Sequence, residues 1–210
     1  MPEKFPPTET FIPKGRSLRA LRESARGCRA CPLYLGATQT VFGEGPREAR
    51  IMLVGEQPGD REDLEGHPFV GPAGKLLDRA LAEAGLARGS IYVTNAVKHF
   101  YFEPRGKFRL HKRPPATAVK ACGPWLAAEI DVLKPTVVVL LGATAAQAIL
   151  GSAFRVTRDR GRAITGSIAP IVIATLHPSA LLRMPDAKAR DEAFGLLVAD
   201  LKLAAKRSKT

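Results

Sequence analysis

An α/β fold in three layers, a four-stranded and mainly parallel sheet between two sets of helices, is what the sequence predicts. Short runs rich in valine, isoleucine and leucine alternate with longer stretches of helical spacing, as expected when parallel strands are joined by crossover helices. The runs are apolar at nearly every position rather than at alternate ones, the pattern of strands covered on both faces. Each run also ends in polar residues or glycines, and ligands of open parallel sheets bind beyond the carboxyl ends of the strands.

In order along the chain, residues 1–14 hold four prolines and little periodicity and read as a flexible or surface-hugging leader. Residues 15–210 read as a single domain. Residues 17–26 suit a short helix delivering Cys28. Residues 50–55 (RIMLVG) read as a buried strand ending in a glycine-rich turn, and 74–84 show helical spacing at Leu76, Leu77, Ala80 and Leu81. Residues 90–97 give a second strand, followed by a long basic loop and a helix over 116–133. Residues 136–141 (TVVVLL) give a third strand, a turn at Gly142 and an alanine-rich helix to Leu150. Residues 170–176 form the fourth strand and 188–206 a closing amphipathic helix. There is no internal repeat.

Composition limits the function. At 210 residues with 45% hydrophobic and 25% charged content, the chain can build one substantial core. No apolar stretch approaches the roughly 20 residues that span a bilayer, and the first residues lack the apolar segment of a secretory signal. The expectation is a soluble cytoplasmic monomer without membrane partners. Lys and Arg number 32 against 20 acidic residues, a formal charge of +12. Such a surplus suits a polyanion, because each phosphate that a cation neutralises releases condensed counterions.

Cys28 and Cys31 form a C-x-x-C pair, Cys122 lies far downstream, and His99 completes a four-donor set. In a protein not expected to hold disulfides, such a set points to a metal. Zinc and an iron–sulfur cluster both accept three thiolates and an imidazole.

Three further motifs follow apolar runs or precede a helix: Gly55-Glu56-Gln57-Pro58-Gly59, Pro68-Phe69-Val70-Gly71-Pro72-Ala73-Gly74 and His177-Pro178-Ser179. Together with the cysteines they resemble the uracil-DNA glycosylase superfamily, in particular its iron–sulfur branch, over nearly everything from Cys28 onward. The segment from Arg105 to His111 resembles the histidine loop of the UdgX group, whose members become covalently attached to DNA after removing uracil. That loop is usually written Lys-Arg-Arg-Ile-His. Lys107, Arg109 and His111 match it, Leu110 replaces isoleucine, and Phe108 stands where the group has arginine.

The resemblance implies a 4Fe-4S cluster held by Cys28, Cys31, His99 and Cys122, with zinc as the alternative by ligand chemistry alone. It implies uracil-containing DNA as the partner, single-stranded and duplex, and association with a prokaryotic nucleoid through that DNA. A flipped-out base needs a stacking ring and hydrogen bonds to its edge; Phe69 and Asn95 are the candidates, with Gly55, Gly59 and Ser179 around them. His177 is placed to donate to the uracil carbonyl as negative charge develops there. Glu56 would stabilise the cationic sugar or orient a nucleophile, with Gln57 beside it. His111 would attack the anomeric carbon and leave the protein bonded to DNA.

Between Lys98 and Arg113 six basic residues are interleaved with Phe100, Tyr101, Phe102 and Phe108, the composition of a single-strand platform. Within it Lys107 and Arg109 are candidate DNA contacts, joined by Arg183 after His-Pro-Ser. Two rival readings remain: a conventional multi-turnover iron–sulfur glycosylase in which His111 only positions DNA, and a non-catalytic cluster protein that binds damaged DNA.

Overall fold

The computed structural model describes residues 5–15 and 17–209. Its centre is a sheet whose strands, numbered along the chain, lie in the order β2-β1-β5-β7-β6. Strands β1 (Ile51–Gly55), β2 (Tyr92–Asn95), β5 (Val137–Leu141) and β7 (Ile171–Thr175) are the four expected parallel strands. A two-residue antiparallel edge, β6 (Ala163–Ile164), extends the sheet to five. Its two residues gave no apolar run that the sequence could signal.

The two faces of the sheet follow the period of two that a strand imposes. Ile51, Leu53, Val137, Val139, Leu141 and Ile173 pack with α3 (Pro72–Glu83) and α8 (Ala187–Arg207). Met52, Val54, Val138, Leu140 and Val172 pack on the opposite side with α4 (Ala116–Leu133) and α5 (Gly142–Leu150). Three layers therefore share one sheet as their core. Truncating a fully buried leucine there, such as Leu53, carries the usual cost of about 2–5 kcal/mol.

Helix α1 (Leu18–Ala25) is capped by Ser17, whose hydroxyl accepts from the Ala20 amide, and it leads into the cysteine pair. The leader from residue 5 takes the surface-hugging form. Thr8 is buried with its hydroxyl donating to the Ala121 carbonyl, and Ser24 donates to the Phe11 carbonyl. The first four residues of that leader lie outside the described residues. Short helices α2 (Asp60–Glu65), α6 (Val156–Asp159) and α7 (Pro178–Leu182) occupy connections that the sequence left as loops. Among the described residues no helix is long and apolar enough to cross a membrane.

The long basic segment is partly a β-hairpin. Strand β3 (Phe102–Arg105) pairs antiparallel with β4 (Phe108–His111), Phe102 opposite His111 and Arg105 opposite Phe108. The turn is Gly106-Lys107, with φ 59° at the glycine, the left-handed first position that a two-residue type II′ turn reserves for glycine. This hairpin forms a sheet separate from the central one, and its last residues, Leu110 and His111, line cavities at the ends of the central strands.

Candidate active site and metal centre

At the carboxyl edge of the sheet, the register sets Gly55 beside Asn95 and Leu141 beside Thr175. A cavity of about 320 Å³ opens there, and Gln57, Phe69, Asn95, His111, His177 and Arg183 are among its lining. Gly55 is required by a close approach: a Cβ on it would sit 2.3 Å from Asn95 Oδ1 and 2.6 Å from Phe69 Cζ. The bare glycine lets the amide and the ring meet over the strand end. Phe69 itself has φ 59°, a left-handed conformation that costs a bulky residue about 1–3 kcal/mol and collects at functional sites. Its carbonyl rests on Gly74, where a Cβ would meet it at 1.8 Å. Glu62 fastens the two glycine loops of the rim, its carboxylate accepting from the amides of Gly59 (3.1 Å) and Gly71 (2.9 Å).

His177 caps α7, and its Nδ1 accepts from the Ser179 amide at 3.1 Å. An accepting Nδ1 leaves the ring proton on Nε2. Ser179 Oγ lies 2.8 Å from the same nitrogen and accepts from Arg183 Nη1 at 3.2 Å. Burial first, then the charges of Arg183 and His111, lower the His177 pKa to about 4. His177 is thus a neutral N–H donor, and its ring centroid lies 6.2 Å from that of Phe69.

His111 ends β4 in the wall between this cavity and a second one of about 640 Å³ lined by Glu56, Leu110, Gly142, Thr144 and Arg183. Its Nε2 is 3.7 Å from Glu56 Oε1, while Thr144 donates to the other Glu56 oxygen. Burial is the main cause lowering the His111 pKa, Arg183 lowers it further, and Glu56 and Glu62 oppose them. Gln57 clamps the base of the hairpin: its Oε1 accepts from the Tyr101 amide, and its Nε2 faces the carbonyls of Tyr101 (3.1 Å) and Lys112 (2.9 Å). The same Nε2 lies 3.0 Å from His111 Nε2. An amide nitrogen has two hydrogens, and the two carbonyls use both. No Gln57 hydrogen is therefore left over for His111 Nε2.

Arg109, expected among the DNA contacts, is committed elsewhere. Its Nε binds Asp60 Oδ1 at 2.5 Å, its Nη1 binds Asp63 Oδ2 at 2.6 Å, and its guanidinium covers the rings of Phe100 and Phe102 at 5.3 and 5.2 Å. It anchors the hairpin. Lys107 lies in the exposed turn, 5.7 Å from the Phe108 ring, and Arg183 borders both cavities. Lys98, counted with the basic loop, is buried instead. Its Nζ bonds Glu129 (2.5 Å), Thr94 (2.6 Å) and the carbonyl of Asn95 (2.8 Å). Sequence reasoning passed over Leu182, a half-exposed leucine on the rim of the smaller cavity, and over Asp60, Glu62 and Asp63. An acidic helix next to a basic hairpin was the available signal for those carboxylates.

The three cysteines are buried, and the charges of Cys28 and Cys31 both reach Cys122. Burial pushes the Cys122 thiol up to about 12 and that of Cys31 upward as well. Trp125 Nε1 donates to Cys28 Sγ at 3.3 Å and the Lys98 amide to Cys122 Sγ at 3.5 Å, the donors a metal-bound thiolate takes. Thr40 gives its one proton to the Ala25 carbonyl at 3.0 Å, so its oxygen accepts from His99 Nε2 at 2.9 Å. His99 Nδ1 is left as a bare lone pair, buried and without a partner. A cavity of about 200 Å³ is lined by both Cys28 and His99. The donors fit a metal group. Among the described residues no three His, Cys, Asp or Glu form a group placed to hold a single metal ion.

Residues 42–202 match the family model described as "Uracil DNA glycosylase superfamily". A type-4 uracil-DNA glycosylase of Thermotoga maritima is 41% identical over 167 residues, 79% of this chain and 83% of the relative. That of Pyrobaculum aerophilum is 37% identical over 175 residues, covering 80% and 86%. That of Archaeoglobus fulgidus is 36% identical over 177 residues, covering 80% and 85%.

Proposed function

Because the chain belongs to the uracil-DNA glycosylase superfamily, we propose that it excises uracil from DNA and then bonds itself to the resulting sugar through His111. The observation that carries the second half is the place of His111: its Nε2 lies on the wall shared by the two cavities, 3.7 Å from Glu56. Uracil occupies the smaller cavity, stacked on Phe69 and read at its edge by Asn95. The sugar and its phosphates lie toward the larger one.

As the N-glycosidic bond breaks, its electron pair leaves with the base, and the neutral His177 Nε2–H donates to the uracil oxygen that gains charge. A neutral donor suits this task because it holds an anion without first protonating it. Glu56 faces the cationic sugar. His111 Nε2 supplies an electron pair to C1′ and forms a C–N bond; the ring then loses its Nδ1 proton to solvent. The adduct has no easily expelled group, so turnover stops after one event.

We further propose that Cys28, Cys31, His99 and Cys122 hold a 4Fe-4S cluster. When bound it supplies a cross-link between the N-terminal segment, the loop carrying His99, and α4, beside the base cavity. The bare Nδ1 of His99 is the support for an imidazole ligand.

A conventional multi-turnover enzyme is the second reading, favoured by relatives named as type-4 uracil-DNA glycosylases. A labelled uracil-containing single strand, incubated with the protein and fully denatured, separates the two. A heat-stable protein–DNA band that requires uracil and vanishes in His111→Ala supports self-trapping. An alkali-labile strand without such a band supports hydrolysis, and intact DNA with no base release refutes both.

A further inference from the structure

We propose that Phe108 is a stacking platform for a base neighbouring the uracil, and that it selects single-stranded DNA. The inference rests on the glycosylase reading and gives it a substrate preference. Four aromatic residues in the basic segment were candidates for stacking, and the structure sorts them. Phe100 is 1% exposed and stacks on Phe102 at 5.0 Å, beneath the Arg109 guanidinium. Tyr101 is partly buried and its backbone is held by Gln57. Phe108 is 68% exposed, the largest such value among the exposed large hydrophobic residues described.

Strand alternation explains the sorting. Arg109 and His111 share the inner side of β4, each within 6 Å of the Phe100 ring. Phe108 and Leu110 therefore share the outer side, and Leu110 is itself 45% exposed. Leu110 borders the same cavity as His111, so an apolar strip runs from the hairpin tip to the nucleophile. Phe108 is carried on a paired strand rather than in a loop. The Arg109 bonds to Asp60 and Asp63 tie β4 one residue from Phe108, and the Gln57 clamp holds the hairpin's base. A ring held out on a rigid support loses little freedom when a base settles on it.

The occupant follows from charge and continuity. Arg105 and Lys107 flank the ring, and among the described residues neither has a carboxylate partner. A surface of one aromatic face between two unpaired cations matches a nucleobase between two phosphates. From Phe108 to His111 is three residues, about 10 Å at strand rise. In a stacked strand that is about three nucleotides, and fewer where the bases are splayed apart. The bases of a duplex are already stacked on both faces, so an extra platform benefits an unpaired strand more.

The test is a mutant cycle on binding, read by anisotropy of a labelled single strand so that it does not depend on base release. Wild type and Phe108→Ala are each measured on a strand with one uracil whose sugar is 2′-fluorinated, so that the base is not released and no adduct forms, and on strands in which each of the three nucleotides on either side is replaced in turn by a baseless spacer. We expect Phe108→Ala to bind the full strand about tenfold to hundredfold more weakly, the loss of one base–aromatic stack. One spacer should weaken wild type equally and leave Phe108→Ala unaffected, while Phe108→Trp keeps wild-type affinity and duplex binding changes little. If the effect of Phe108→Ala is the same on every spacer strand, or falls equally on duplex, the platform is refuted. Uracil release assayed alongside on the unfluorinated strand reports on the glycosylase reading: stacking without release would overturn that reading and leave the platform standing.

Discussion

Replacing Gly55 with alanine should slow base excision by about 10²-fold while sparing the fold. The added methyl would meet Asn95 Oδ1 at 2.3 Å and Phe69 Cζ at 2.6 Å. Unstrained carbon contacts are about 3.5–4.0 Å, so each group must retreat by about 1 Å. Both clashing atoms are the far ends of side chains, and the strain is of the ordinary overpacking kind, about 1–3 kcal/mol. The functional cost is larger in kind, because the two groups that retreat are the ring and the amide proposed to hold uracil. A misplacement of about 1 Å at a reacting centre can cost about 10²-fold in rate. The assay is single-turnover release of uracil from a labelled single strand, with a thermal melt of the same preparation. A folded Gly55→Ala protein working within a few-fold of wild type would refute the assignment of Phe69 and Asn95 to the base.

Three other outcomes are expected. Lys98→Met leaves Glu129 buried at 0% exposure with its cation removed; urea unfolding should show about 3–5 kcal/mol lost, and a loss under 1 kcal/mol would mean the network is not structural. Adduct formation requires neutral His111, whose pKa is lowered from 6.5 chiefly by burial. Its rate should be full above 6.5 and decline only as pH falls through that lowered value, with His177 neutral down to about 4 and not limiting; a decline starting above 6.5 would implicate another group. Cys122→Ser should remove iron and the visible absorption of thiolate-bound iron from the purified protein, and unchanged iron content would remove Cys122 from the ligand set.

Much of this architecture was legible in the sequence, for physical reasons. The four parallel strands announce themselves because burial on both faces demands unbroken apolar runs such as Val137–Leu141. Glu56, Gln57, Asn95 and His177 were legible as neighbours because each directly follows or closes a predicted parallel strand, and such strand ends meet at one edge of the sheet. The hairpin was not legible. Pro104, Glu103 and Arg105 leave β3 a single apolar residue, β4 is only four residues long, and neither strand buries a face. Lys98 and Arg109 were misread for a shared reason: a basic residue in a basic segment looks solvated until its carboxylates, Glu129 in one case and Asp60 with Asp63 in the other, are folded against it. Those partners are 31 to 49 residues away, beyond any local pattern.

The bond between Thr144 and Glu56 joins residues 88 apart, and the contact between Gln57 and His111 joins residues 54 apart. The hairpin that carries His111 is by contrast local and can zip within microseconds, whereas parallel pairing of β1 with β5 must wait for long loops to close. On the self-trapping reading, the strand that carries His111 can thus pair early and the groups it works with converge late. A nascent or misassembled chain holds His111 without the base cavity, Glu56 or His177, and has nothing with which to break a glycosidic bond. For a protein that would react only once, order of assembly acts as a safety catch: the chain is armed by the same long-range closures that complete its fold.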